Sequence, residues 1–99
     1  MKLRFEAAFL RAALEQEAPV RKGLAKLLRL AETLDLAELL NHQGVHLEKL
    51  VGHADPATGQ PLYSLRVTAG ARVLALLDGD ILVLLRIEAD HGKAYRRGR

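Results

Sequence analysis

The chain contains no cysteine, no tryptophan and a single methionine, and only two tyrosines and two phenylalanines supply its aromatic content. Without cysteine there is no disulfide framework and no thiolate metal site. No apolar run exceeds residues 81–85, far short of the roughly 20 residues that a membrane helix needs. The opening Met1-Lys2-Leu3-Arg4-Phe5-Glu6 is charged where a signal peptide would place an apolar segment. The expected setting is therefore the cytoplasm of a bacterium or archaeon. Neither common glycine-rich phosphate loop occurs, and there is no G-x-S-x-G nucleophile elbow. What remains is 49% hydrophobic and 27% charged, a globular balance. Its 99 residues make one domain with one core, residues 1–99, without repeats or low-complexity segments.

Charge is unevenly placed. Residues 1–85 carry ten basic and ten acidic side chains, whereas 86–99 carry five basic and two acidic ones. The whole excess of +3 sits at the C-terminus. A local basic patch of this kind favours a polyanion such as nucleic acid. Alone, it is equally the mark of a solvated tail.

Residues 2–6 alternate, with Leu3 and Phe5 on one side and Lys2, Arg4 and Glu6 on the other, the period of a half-buried strand. Residues 7–17 switch to helical spacing, with Phe9, Leu10, Ala13 and Leu14 forming an apolar stripe. Pro19 is expected to end this helix by disfavouring helical geometry at Ala18. A second helix is predicted over 20–34, with Leu24, Leu27, Leu28, Ala31 and Leu34 inward. Asp35 is placed to cap a short third helix over 36–40. The loop-rich segment 53–61 follows, with the turn signal Asp55-Pro56. Three strands come after it. In the first, Tyr63, Leu65 and Val67 face one side and Ser64, Arg66 and Thr68 the other. The second is 72–77, the Asp78-Gly79-Asp80 turn makes a hairpin, and 81–89 reads as a central strand buried on both faces. The fold class is α+β: a small twisted antiparallel sheet of about four strands, the three C-terminal ones plus the N-terminal one. A two-helix hairpin covers one face.

At this level the residues resemble the RelE/ParE superfamily of toxins from bacterial and archaeal toxin–antitoxin systems. The resemblance is carried by Leu62-Tyr63-Ser64-Leu65-Arg66-Val67, by Gly70-Ala71-Arg72-Val73-Leu74, and by the Asp78-Gly79-Asp80 hairpin with the apolar strand after it. His91-Gly92-Lys93-Ala94-Tyr95-Arg96 extends it, and upstream Leu47-Glu48-Lys49-Leu50-Val51-Gly52 matches the pattern Leu-x-Lys-Leu-x-Gly. Three positions depart from the family: Ala71 replaces an aromatic residue, Ser64 stands near where a lysine is common, and His91 stands where arginine is frequent.

The resemblance implies the toxin of a type II toxin–antitoxin system, RelE-like, cleaving messenger RNA on the ribosome by attack of a ribose 2′-OH on the adjacent phosphate. That reaction needs proton transfer and positive charge at the phosphate but no metal or other cofactor. Implied catalytic residues are Arg66, Arg72, His91 and Tyr95. An arginine fork suits phosphate, an imidazole, whose unperturbed pKa is near neutral, suits His91 to the role of base or acid, and Tyr95 can stack on an unpaired base. Arg86, Lys93, Arg96 and Arg97 are implied RNA contacts. For Arg72 the alternative is a structural ion pair with Asp78, Glu88 or Asp90. Arg86 falls in the same alternation as Leu82 and Leu84, where a charge must reach a partner or water.

The runner-up reading is a ParE-like inhibitor of DNA gyrase without nuclease activity, favoured by the departures at Ser64 and Ala71. A third is a degenerate toxin retaining only the fold and antitoxin binding. The implied partners are a cognate antitoxin protein and ribosome-bound mRNA, with gyrase in place of mRNA in the runner-up. A homodimer or a toxin–antitoxin hetero-oligomer is the expected assembly. Glu38, His42 and His46 recur every four residues, but Gly44 interrupts their helix, so no metal site is expected there.

Overall fold

The structure, a computed structural model, describes residues 1–89; the candidate site residues His91, Lys93, Tyr95, Arg96 and Arg97 lie outside the described residues. Strand β1 (Lys2–Phe5) leads into helices α1 (Ala7–Glu15), α2 (Ala18–Thr33) and α3 (Leu36–Asn41). Four strands follow: β2 (Glu48–Ala54), β3 (Pro61–Thr68), β4 (Ala71–Asp78) and β5 (Ile81–Ala89). They form one sheet in the order β1-β5-β4-β3-β2. Strands β2 to β5 run as an antiparallel meander, while β1 lies parallel to β5, with Lys2 opposite Ile81 and Phe5 opposite Leu84.

The α+β layer read from the sequence is present, with two corrections to its sheet. Among the described residues it has five strands, and it is mixed. Strand β2 escapes a periodicity search because six of its seven residues are exposed, so no apolar alternation marks it. Its ladder to β3 is also interrupted between Lys49 and Ala54. The parallel pairing follows from connectivity, because parallel neighbours need a long crossover and everything between β1 and β5 supplies it.

The helix boundaries differ in one instructive place. Ala18 is helical and Pro19 sits in the first turn of α2, after the cap residue Glu17. There a missing N–H costs nothing, because the first amides of a helix have no intrahelical acceptor. Pro19 therefore starts the second helix, and α1 stops two residues early at Glu15. Helix α3 begins as expected at Asp35, through a reciprocal capping box. The Glu38 amide donates to Asp35 Oδ1 at 2.8 Å, and the Asp35 amide donates to Glu38 Oε1 at 2.9 Å.

The core lies between the helices and one face of the sheet. Phe9, Leu24, Leu27, Ala31 and Leu39 from the helices pack with Leu65, Val73, Ala75, Leu82 and Leu84 from the strands. Val45 and Leu47, in the segment after α3, complete it. The predicted α1 stripe is only partly right. Phe9 is buried, but Leu10 is 49% and Leu14 81% exposed. The sheet face away from the helices also holds buried apolar side chains: Leu62, Leu74, Leu76 and Val83.

Helix α2 approaches β3 closely at Gly23. A Cβ there would lie 2.8 Å from both Cγ1 and the carbonyl oxygen of Val67, and 3.3 Å from Thr68 Cγ2. The carbonyl belongs to the sheet and cannot move aside cheaply. Gly23→Ala should therefore destabilise the fold by about 1–2 kcal/mol, overpacking outweighing alanine's helix preference of about 1 kcal/mol. Urea denaturation of the two proteins checks this, and a gain in stability would show that the helix yields freely.

Candidate nucleic-acid interface

Side chains of directly paired strand residues project from the same face of a sheet. Arg66 pairs with Arg72, and Arg72 pairs with Glu88. These three form a row across β3, β4 and β5. The next row runs Glu48, Ser64, Leu74 and Arg86. Val73 and Leu65 alternate with these residues and enter the helix-packed core, so both rows belong to the face without helices. Arg66 and Arg72 thus share the open face.

Two irregularities in the ladders set this arrangement and correct two sequence readings. On β5, Leu74 pairs with Arg86 but Ala75 pairs with Leu84, which leaves Leu85 as an extra residue. Such a bulge reverses the alternation beyond it. Arg86 therefore leaves the side of Leu82 and Leu84 and joins the open face. On β3, Arg66 pairs with Arg72 and Thr68 with Ala71, so Val67 is extra. Thr68 accordingly turns toward α2 beside Gly23, and not outward with Ser64 and Arg66 as strict alternation requires.

Arg72 is held by two groups. Its Nε donates to the Ser64 hydroxyl, and its Nη2 donates to Glu48 Oε1 at 3.0 Å. Ser64 is only 1% exposed. The ion pair is open to water, with side-chain exposures of 36% for Arg72 and 49% for Glu48, and pairs of that kind contribute about 0–1 kcal/mol. A structural ion pair does exist; among the described residues its acid is Glu48 and not Asp78 or Glu88, while Asp90 lies outside them. Asp78 pairs with Arg4 at 3.2 Å, and Glu88 with Arg86 at 3.5 Å.

Arg66 makes no ion pair among the described residues. Its Nη2 lies 3.4 Å from His46 Nδ1, and its backbone N–H donates to the Val45 carbonyl at 2.7 Å. His46 adopts a left-handed conformation, φ +50°, which brings the 45–46 segment against β3. His42 Nδ1 accepts the amides of Gly44 and Val45 at 3.1 and 3.2 Å, and α3 stops at Asn41. Glu38, His42 and His46 therefore share no helix face.

Beside Arg86 a groove of about 500 Å³ runs between the start of α1 and the β2–β3 loop. Leu62, Leu74 and Leu85 line it, with His53 and Asp55 also in its wall. Strand β5 ends at Ala89, opposite Ala71, so the described chain stops at the end of the sheet that carries the Arg66–Arg72 row.

The three guanidinium groups that the described residues place on this face, permanently charged and forked, suit a run of phosphates. Glu48 and Glu88 offset two of them. Sequence reasoning found all three arginines but missed Ser64 as an anchor, and it missed Glu48 and His46 as neighbours. Only the alternation that turns Ser64 and Arg66 the same way pointed to the first. The other two lie on an unmarked edge strand and in a loop.

The anchoring gives Arg72 and Arg66 different structural weights. Arg72→Ala leaves the buried Ser64 hydroxyl without its partner and should cost about 1–2 kcal/mol. Arg66→Ala, at an exposed position, should cost under about 0.5 kcal/mol. Equal midpoints in chemical denaturation would show that Ser64 is satisfied without Arg72.

No protein-family model matches the chain, and no curated protein matches its sequence. Solved structures do match. RelE in the RelB–RelE antitoxin–toxin complex of Methanococcus jannaschii superposes with a TM-score of 0.67 at 14% identity, over 92% of this chain and 94% of that one. The archaeal RelE–RelB complex of Pyrococcus horikoshii gives 0.65 at 14% identity, over 90% and 93%. A YoeB/ParE toxin from Agrobacterium tumefaciens gives 0.61 at 17% identity, over 90% and 98%. Nearly the whole of each chain is covered while the sequences have diverged almost completely, so the likeness is one of architecture: this chain has the fold of the RelE-superfamily toxins.

Proposed function

We propose that the chain is the toxin of a type II toxin–antitoxin pair and acts as a RelE-like, ribosome-dependent endoribonuclease. The observation that carries this reading is the direct pairing of Arg66 with Arg72 on the open face, with Arg86 one row away. The fold shared with RelE-type toxins supports it. In this mechanism a ribose 2′-oxygen attacks the neighbouring phosphorus, the bond to the 5′-oxygen breaks, and a cyclic phosphate is left. Arg72 and Arg66 stabilise the negative charge that builds on the phosphate oxygens. The roles of base or acid for His91, of base stacking for Tyr95, and of phosphate contacts for Arg86, Lys93, Arg96 and Arg97 belong to the same proposal. The reaction uses no metal. The site of action is the cytoplasm, where ribosomes are.

The partner that restrains the toxin is an antitoxin. The apolar side chains left exposed on the helical side, Leu10 and Leu14 on α1 and Leu40 on α3, suit an amphipathic helix laid across them. One observation favours the second reading, a gyrase-directed toxin without nuclease activity. Ser64 is buried beneath Arg72 and provides no charge, while Glu48 opposes the charge of Arg72.

Induced expression should arrest growth and create new 5′ ends inside translated messages, mapped by sequencing of 5′ termini. Arg66→Ala should lower cleavage on purified ribosomes by about a hundredfold, the scale of losing one transition-state donor. Arg72→Ala should do at least as much. Intact messages together with DNA breaks trapped on gyrase would select the second reading. Undiminished cleavage by both variants would remove the arginines from the site.

A further inference from the structure

Among the described residues, the Arg72 guanidinium is committed on one edge only. Nε–H and one Nη2–H lie on the same edge of the arginine fork, and these are the donors taken by Ser64 and Glu48. The remaining edge, Nη1 with the second Nη2 hydrogen, keeps its donors for an incoming oxyanion. The two partners differ in kind. Ser64 is neutral, buried, and fixed within the β3–β4 ladder opposite Leu74. Glu48 is a half-exposed carboxylate at the first position of the edge strand β2, where the ladder to β3 soon becomes irregular.

We propose that Ser64 is a positioning residue that aims Arg72 at an RNA phosphate, and that Glu48 is a built-in counter-charge that competes with the phosphate for the same guanidinium. Neither reacts with the substrate. Ser64 removes the freedom of a long side chain before binding, so that ordering it costs nothing at the moment of contact. Glu48 occupies Nη2 in the absence of RNA and repels the anion that arrives beside it. The arrangement weakens the pull of Arg72 on a single anion at its free edge, and a ligand with several phosphates, contacting Arg66 and Arg86 as well, overcomes the repulsion of the carboxylate. The inference rests on reading the open face as an RNA site, and its test separates the two.

The anchor is read first, without any ligand. In nitrogen-15 NMR of the intact chain, the Arg72 Nε–H should be protected from exchange in the wild type and in Ser64→Thr, and unprotected in Ser64→Ala. An unchanged resonance in Ser64→Ala overturns the role of Ser64. The counter-charge is read with a single-stranded RNA oligonucleotide over a series of salt concentrations. Glu48→Gln keeps an acceptor for Nη2 but loses the charge. It should bind RNA about two- to fivefold more tightly, the scale of an exposed ion pair, with a salt slope steeper by about 0.7. Ser64→Ala should bind about three- to tenfold more weakly, with Ser64→Thr restoring affinity. Both effects should vanish in an Arg72→Ala background, because they act through that residue. The same comparison with inorganic phosphate, followed at the Arg72 resonance, needs no RNA. If Glu48→Gln binds phosphate more tightly while no variant binds RNA, the RNA reading falls and the counter-charge role of Glu48 toward an oxyanion stands. Equal affinity of Glu48→Gln and wild type for both ligands, or a gain that persists without Arg72, overturns it.

Discussion

Strand β4 lies at the centre of the sheet, and its residues from Val73 to Leu76 are buried on both faces. Everything polar near it has to be satisfied in place or moved to the end of the sheet. The helices bury Val73 and Ala75, while Leu74 and Leu76 are buried on the other side among Leu62 and Val83. Arg72 stands where this apolar centre gives out. Its stem crosses the last buried positions and its head reaches water, an arrangement typical of long cationic side chains. The Ser64 hydroxyl below it gives the fork a fixed acceptor, so the charge is directed by the same packing that builds the core.

The charged end of the open face depends on local irregularities more than on regular strand. Without the extra residue Leu85, Arg86 would project to the side of Leu82 and Leu84, where burying a charge is costly. With it, the arginine reaches solvent and Leu85 turns toward the groove beside α1. At Val67 the added residue frees Thr68 to pack near Gly23, and the tight approach of α2 to β3 follows. One bulge thus serves the exposed face and the other the packed one. A sheet that needs both a tight helical cover and a basic rim meets the two demands by breaking its period in two places.

Much of this was legible beforehand because burial leaves periodic traces. The α2 stripe of Leu24, Leu27 and Ala31, the Asp35 cap and the Asp78-Gly79-Asp80 hairpin all reflect local physics that the sequence encodes directly. Strand β2 left no such trace, since an edge strand exposed along six of its residues has no reason to alternate. Pro19 misled because the same ring that ends one helix is well placed in the first turn of another. The bulges are invisible to any fixed-period reading, because each is defined by the partner strand's register. Of the site, Arg66 and Arg72 were found through a resemblance and then placed side by side by the ladder. Glu48 could not be paired with Arg72 before β2 was known to exist.

The parallel ladder between β1 and β5 joins the first strand of the chain to the last one described. During synthesis, β1 leaves the ribosome exit tunnel long before its partner does. Until β5 arrives, Leu3 and Phe5 have no sheet to join, and α1 has no β5 surface to pack on. Closure of the sheet is therefore a late, non-local event with a large loop-closure cost. A chain truncated before β5 would lose two strands from one deletion, together with Arg86 and Glu88 from the open face. Copies halted before β5 therefore lack the ladder that joins β1 to the sheet and carry only the part of the charged face that β2, β3 and β4 provide.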